Sequence, residues 1–300
     1  MAGPNHRDLL DPAALNRAES LGFVARTIVE GYKVGEHRSP LKGFAIEFAQ
    51  HREYTPGDDV RHLDWKVLGR TDRLYLKQYE QDTNFVAHLL LDTSGSMAYG
   101  SGKLTKLHYA KILAATLAHV ILGQRDAVSL GLFGNNTRQL YPRTDTPQRL
   151  PWMLETLAAA QAAGPTNLAD HLARFAPAIR RRSIVVILSD FLEDEAAVLA
   201  TLPRLRFQGC EVIIIHVLDH AELELPFKDT VRFEGLEGEQ PLTTRPSDFR
   251  KSYQEAVQAY CTAFRQGCER MDCHYILADT SQPPAEVLST YLAFRNRLHS

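Results

Sequence analysis

Asp92-Thr93-Ser94-Gly95-Ser96 sets one carboxylate and two hydroxyls two residues apart on a short stretch that Gly95 leaves free to bend. Oxygen donors in that pattern converge on a hard cation; magnesium suits the set, with manganese or calcium as the other divalent candidates. Two distant stretches carry what the first lacks. Pro165-Thr166-Asn167 offers a hydroxyl ahead of a helical pattern, and Ile184–Leu188 runs into Ser189-Asp190, a second carboxylate. A local reading competes: Ser94 and Ser96 would cap a helix starting near Leu104, and Asp190 the helix that follows it, ordinary work for these side chains.

The donors meet only if their elements bring them together. From residue 85 onward apolar strand candidates alternate with helical stretches: Phe85–Leu91, Leu104–Leu122, Val128–Phe133 with a hairpin partner Thr137–Tyr141, Gln148–Ala160, Leu168–Ile179, Ser183–Leu188, Ala196–Leu205 and Val212–Val217. That rhythm predicts an α/β fold, a doubly wound, mainly parallel Rossmann-like sheet covered by helices on both faces. A hairpin-like insertion follows near 220–245, where Gly235 and Gly238 permit turning, then a helix from Ser247 to about Met271 and a strand at His274–Ala278. In an open parallel sheet the loops past the strands' carboxyl ends are where ligands sit, and all three candidate stretches fall at strand ends or helix starts.

The region before residue 85 obeys a different grammar. Asp11-Pro12 starts an amphipathic helix that ends near Gly31, and short strands are expected within Phe44–Tyr54 and Arg73–Tyr79. The expected boundaries are 1–35 for the helix, 36–84 for a small strand-containing segment packed on the main domain, and 85–300 for the main domain. Between the short strands lies a dense mixture of charges: Arg52, Tyr54, Pro56-Gly57-Asp58-Asp59, Arg61, Asp64-Trp65, Arg70, Lys77 and Glu80. Alone, that block reads as a solvated surface with a Pro-Gly-Asp turn. Pairing of Arg52, Arg61 and Arg70 with Asp58, Asp59, Asp64 or Glu80 would instead pin it onto the main domain.

Composition narrows the function classes. The 300 residues are 44% hydrophobic and 23% charged, and 34 basic against 36 acidic side chains leave a net charge of −2, which draws the chain neither to nucleic acid nor to an anionic membrane. No apolar run approaches the roughly 20 residues of a membrane span, and charges interrupt the first thirty residues, so a cytoplasmic protein with reduced cysteines is expected. A dinucleotide loop is disfavoured because Gly95, Gly100 and Gly102 lack the G-x-G-x-x-G spacing. A phosphotransferase of haloacid dehalogenase type would need an aspartate where Ser94 stands.

D-x-S-x-S, then a threonine after a glycine, then an aspartate ending a later strand, resembles the metal-ion-dependent adhesion site of von Willebrand factor type A domains. The charged block resembles the signature of the domain-of-unknown-function 58 family, in which it precedes such a domain. The resemblance implies that Ser94, Ser96 and Thr166 are hydroxyl ligands and that Asp92 and Asp190 act mainly through water. It implies a non-enzymatic, metal-dependent interaction module whose partner presents an aspartate or glutamate, as adaptor or co-chaperone of a MoxR-type AAA+ ATPase. The alternatives are a magnesium-dependent phosphoester hydrolase using Asp92 or Asp190 as base, and a type A fold with no ion bound.

Overall fold

The computed structural model describes residues 46–53, 67, 69, 74–81, 86–123, 126–134, 138–165, 167–238 and 240–287. They divide between two compact units, one within 32–84 and one containing everything described from Val86 onward. In the smaller unit β1 (Ile46–Glu53) runs antiparallel to β2 (Tyr75–Gln81), with a register shift between Phe48 and Gln50. The short strands expected in this segment are therefore each other's partners. Arg52 stands opposite Leu76, Lys77 opposite His51 and Glu80 opposite Glu47. Tyr54, Gly57, Asp58, Asp59, Arg61, Asp64, Trp65 and Arg70 lie outside the described residues, as do the expected N-terminal helix and the proposed charge pairing.

The larger unit runs β3 (Val86–Asp92), α1 (Lys106–Gly123), β4 (Ala127–Phe133), β5 (Arg138–Leu140), α2 (Leu150–Ala159), α3 (Leu168–Phe175), β6 (Ile184–Ser189), α4 (Glu195–Phe207), β7 (Glu211–Leu218), α5 (His220–Glu224), β8 (Val231–Phe233), β9 (Leu242–Thr244), α6 (Arg250–Arg270) and β10 (His274–Asp279). Six strands form one sheet in the order β10-β7-β6-β3-β4-β5, parallel except for β5, which pairs antiparallel with β4. β8 and β9 form a separate hairpin. The fold is the α/β, doubly wound, mainly parallel sheet that the alternation of apolar runs predicts.

Burial on both faces explains those runs. β3, β4, β6 and β7 are buried along their whole length, and period-two alternation sends neighbouring side chains to opposite helical layers. Leu89, Leu91, Val186, Leu188 and Ile215 pack with α1 and α2, whereas Leu90, Val185, Ile187 and Ile214 pack with α3, α4 and α6. From β3 the chain winds outward to β4 and β5, then returns to β6 on the other flank. The winding thus reverses between β3 and β6, and in open α/β sheets ligands bind outside the strands' carboxyl ends at such a point.

The helix ends depart from expectation for local reasons. α1 begins at Lys106 because the Thr105 hydroxyl accepts the His108 amide at 3.1 Å. α3 stops at Phe175, four residues early, where the Ala178 and Ile179 amides both turn back to the Phe175 carbonyl. A 3-10 turn at Pro246–Asp248 delays α6 to Arg250. Among the described residues no helix is long and apolar enough to cross a membrane. All four cysteines are buried free thiols.

Leu90 is fully buried, and Gly131 makes room for it: a Cβ there would lie 2.5 Å from Leu90 Cδ2. Leu90→Ala is expected to lower unfolding stability by about 3 kcal/mol, whereas Leu242→Ala, at a side chain 60% exposed, stays within about 0.5 kcal/mol. Urea unfolding of both variants checks the assignment of core and surface.

Candidate functional site

Asp92 is the last residue of β3 and Asp190 follows the last residue of β6; these neighbouring strands flank the reversal of the winding. Both carboxylates are buried, 1% and 2% exposed. Asp92 Oδ1 accepts the Ser94 amide at 2.8 Å, and Oδ2 accepts the Ser189 hydroxyl at 2.6 Å. Ser189 Oγ in turn accepts the Phe191 amide at 3.0 Å. The Ser94 and Ser96 hydroxyls lie 3.0 Å apart.

The local capping reading does not describe these side chains. Ser94 precedes the 3-10 turn Gly95–Ala98 without a side-chain bond to its backbone amides, and α4 takes its cap from Asp194 instead of Asp190. Thr166 lies outside the described residues, but the chain on either side of it is fastened at the same edge. The Ala163 amide donates to the Thr93 carbonyl at 3.0 Å and the Gly95 amide to the Gly164 carbonyl at 2.7 Å. Beyond Thr166, Asn167 caps α3, and the Leu168 amide donates to both Glu193 carboxylate oxygens at 2.8 and 2.9 Å.

A group that sequence reasoning missed sets the electrostatics. The Lys106 ammonium, on the first turn of α1, has no solvent exposure and donates to Asp190 Oδ2 at 2.8 Å and Glu222 Oε1 at 2.6 Å. Burial alone would depress its pKa, but the charges and hydrogen bonds of Asp190 and Glu222 overcome burial and hold it above the ordinary lysine value. Glu222 is fixed in turn by the capping box of α5, its Oε2 accepting the Asp219 amide at 2.8 Å. Asp92 has no such cation. Burial first, and then the charge of Asp190, push its pKa up to about 7 against the bonds from Ser189 and Ser94. Among the described residues Lys106 is bonded to Asp190 and Glu222 and not to Asp92, and Glu193 and Glu237 stand close by; burial, and then the charges of Glu237 and Asp190, raise the Glu193 pKa.

Facing hydroxyls beside buried carboxylates, with negative charge in excess, are the donor set of a hard divalent cation. No group of three or more His, Cys, Asp or Glu placed to hold a metal occurs among the described residues, so any ion here would have to draw on the serine hydroxyls. Besides Lys106, sequence reasoning missed Ser189, Glu193, Glu222 and Glu237. Ser189 sits beside Asp190 at the end of β6, the others reach the edge from other elements, and none carries a spacing signal.

Sheet and edge together define the class: an α/β protein with a doubly wound sheet and an acidic, hydroxyl-rich site at its reversal. Residues 50–262 match the family described as protein of unknown function DUF58, and the chain belongs to that family. The uncharacterised protein Rv1480 of Mycobacterium tuberculosis is 29% identical over 225 residues, spanning 73% of this chain and 69% of that protein. The uncharacterised protein YeaD of Bacillus subtilis is 27% identical over 152 residues, 49% of this chain and 35% of that one. Among solved structures, conserved hypothetical protein BatB from Bacteroides thetaiotaomicron aligns at 14% identity over 71% of this chain and 99% of its own, with a TM-score of 0.47. The VWA domain of SpRpn10 aligns at 17% identity over 68% and 93%, with a TM-score of 0.43.

Lys106→Met is expected to cost about 3–5 kcal/mol, because it strands Asp190 and Glu222 as buried charges, and adding Asp190→Asn recovers part of the loss. Strict additivity in urea unfolding would count against the pairing. For Asp92 the sign follows from its raised pKa. In chelator the folded state keeps a proton that an ordinary aspartate, near about 3.9, has released. Stability is therefore expected to fall as pH rises from about 4 to about 7, by on the order of a few kcal/mol, and Asp92→Asn flattens the slope. Equal slopes in the two proteins would show that Asp92 titrates normally.

Proposed function

We propose that the chain is a non-enzymatic, metal-dependent protein-interaction module of von Willebrand factor type A kind. Asp92, Ser94, Ser96, Thr166 and Asp190 form its adhesion site, for magnesium or else manganese or calcium. The observation that carries the reading is the meeting of two buried carboxylates and two facing hydroxyls at the sheet's reversal, with more negative charge than Lys106 balances. Ser94, Ser96 and Thr166 act as direct ligands, and Asp92 and Asp190 orient them through water. The existing bonds support that division of labour. Both Asp92 oxygens already accept hydrogen bonds from Ser94 and Ser189, and Asp190 Oδ2 is taken by Lys106. An ion with few direct carboxylates stays electrophilic and accepts an aspartate or glutamate of a partner as its last ligand.

The partner in this reading is a MoxR-type AAA+ ATPase of the cytoplasm, with this protein as its adaptor or co-chaperone in remodelling or maturing others. Support for that partner is the resemblance carried by the charged block and the D-x-S-x-S block in their order along the chain. The net charge of −2 supports a protein partner over nucleic acid. One observation favours a second reading: Lys106 already neutralises Asp190 at 2.8 Å, as in a fold that works without an ion.

Melting with magnesium and with chelator separates the two. Magnesium at 100-fold over its Kd is expected to stabilise the protein by about 2.7 kcal/mol, and Ser96→Ala abolishes the difference. Identical melting of the unmodified protein in both would favour the ion-free fold. Affinity capture from native lysate is expected to retain the ATPase with magnesium and release it with chelator. Magnesium-dependent phosphoester turnover lost in Asp92→Asn would overturn the non-enzymatic assignment.

A further inference from the structure

The β8–β9 hairpin ends on this same edge. Its tip, Gly235-Leu236-Glu237-Gly238, is bracketed by glycines, and Gly238 adopts a φ of 106°, where a side chain would be strained. The tip lies directly on the D-x-S-x-S loop. The Ser96 amide donates to Glu237 Oε1 at 3.0 Å, and a Cβ added to Gly95 would fall 2.6 Å from the Leu236 carbonyl and 3.2 Å from Glu237 Cγ. Gly95 is thus small not only for loop bending but because the hairpin occupies the space beside it.

We infer that Glu237 is the site's own carboxylate ligand, holding through the β8–β9 hairpin the position that an acidic residue of a partner takes when the hairpin lifts. The inference rests on the adhesion-site reading above. Its physical ground is charge. The hairpin brings a carboxylate to an edge that already carries buried Asp92 and Asp190 and half-buried Glu193, whose pKa is raised by burial and by the charges of Glu237 and Asp190. The Ser96 amide bond does not remove that repulsion between carboxylates, whereas an oxygen-seeking cation beside the Ser96 hydroxyl reverses its sign. Partner binding is then an exchange of one carboxylate for another. The glycines at either end of the tip let it leave without moving the sheet, and Leu236, 48% exposed at the tip, and Leu192, 55% exposed after Asp190, give an incoming chain apolar surface beside the acid.

The competing account is that Glu237 only caps the 3-10 turn through the Ser96 amide. Glu237→Gln separates the two, because a glutamine oxygen accepts the same amide bond but supplies no charge to a cation. The experiment uses the full chain and Mn2+ as probe, read by calorimetric titration and by the water-proton relaxation enhancement of the bound ion. Glu237→Gln is expected to bind Mn2+ on the order of 10-fold more weakly than the unmodified protein, with a larger enhancement as water enters the vacated position. Added acetate is expected to lower that enhancement more in the variant than in the unmodified protein. Unchanged affinity and enhancement in Glu237→Gln, with Mn2+ binding lost in Asp92→Asn, would reduce Glu237 to a cap and leave the adhesion site standing. Failure of the unmodified protein to bind millimolar Mn2+ would overturn both.

Discussion

Two carboxylates carried by neighbouring strands to a buried edge must be answered by positive charge or by protons, because an isolated ionised group in such surroundings is too costly to keep. The rest of this edge is organised around that demand. Lys106 answers Asp190 from the first turn of α1, and its second partner, Glu222, is held by the capping box of α5, so the ammonium sits between two fixed acids. Among the described residues Asp92 is met by hydroxyls and an amide and by no cation. Burial and the charge of Asp190 keep its pKa raised against those dipoles.

Precision at such a site comes from elements that cannot shift independently. α1 is buried almost all the way round, so the ammonium at its start is placed by the packing of the whole helix against the sheet. The Lys106 amide donates to the Tyr99 carbonyl at 2.8 Å, tying the helix start to the chain just past the 3-10 turn. Asp219 gathers the neighbouring ends by accepting from the Ser101 amide, the Ala221 amide and the Thr280 hydroxyl. These bonds hold its pKa below the ordinary carboxylate range although burial acts the other way. The loops at this edge are therefore bound to one another as well as to the strands they extend.

What the sequence reveals and what it hides divide along a physical line. A strand buried on both faces must be continuously apolar, so the runs of β3, β4, β6 and β7 announce themselves, and their alternation with helical periods implies the sheet. Asp92, Ser94 and Ser96 are legible because their spacing is local. Lys106 is not, since a lysine opening a helix looks solvated and its acidic partners lie 84 and 116 residues further along the chain. Ser189 hides beside the more conspicuous Asp190. The glycines of the β8–β9 turn reveal that the chain turns there, but that Glu237 reaches an amide 141 residues away is a fact of tertiary packing with no local trace.

The helices around this edge take their caps from residues other than the candidate site's serines and aspartates. Thr105 accepts the His108 amide at the start of α1, Asn167 caps α3, Asp194 caps α4 and Asp219 caps α5. Each of these helices has a dedicated cap of the residue type the position favours. Ser94, Ser96, Asp92 and Asp190 are therefore not needed as caps for these helices. Buried polar groups not needed for the fold are a cost, and they concentrate where a site uses them. Here they concentrate at the one point of the sheet where the winding reverses, and the chain has added to them a lysine to balance one acid and a hairpin to deliver another.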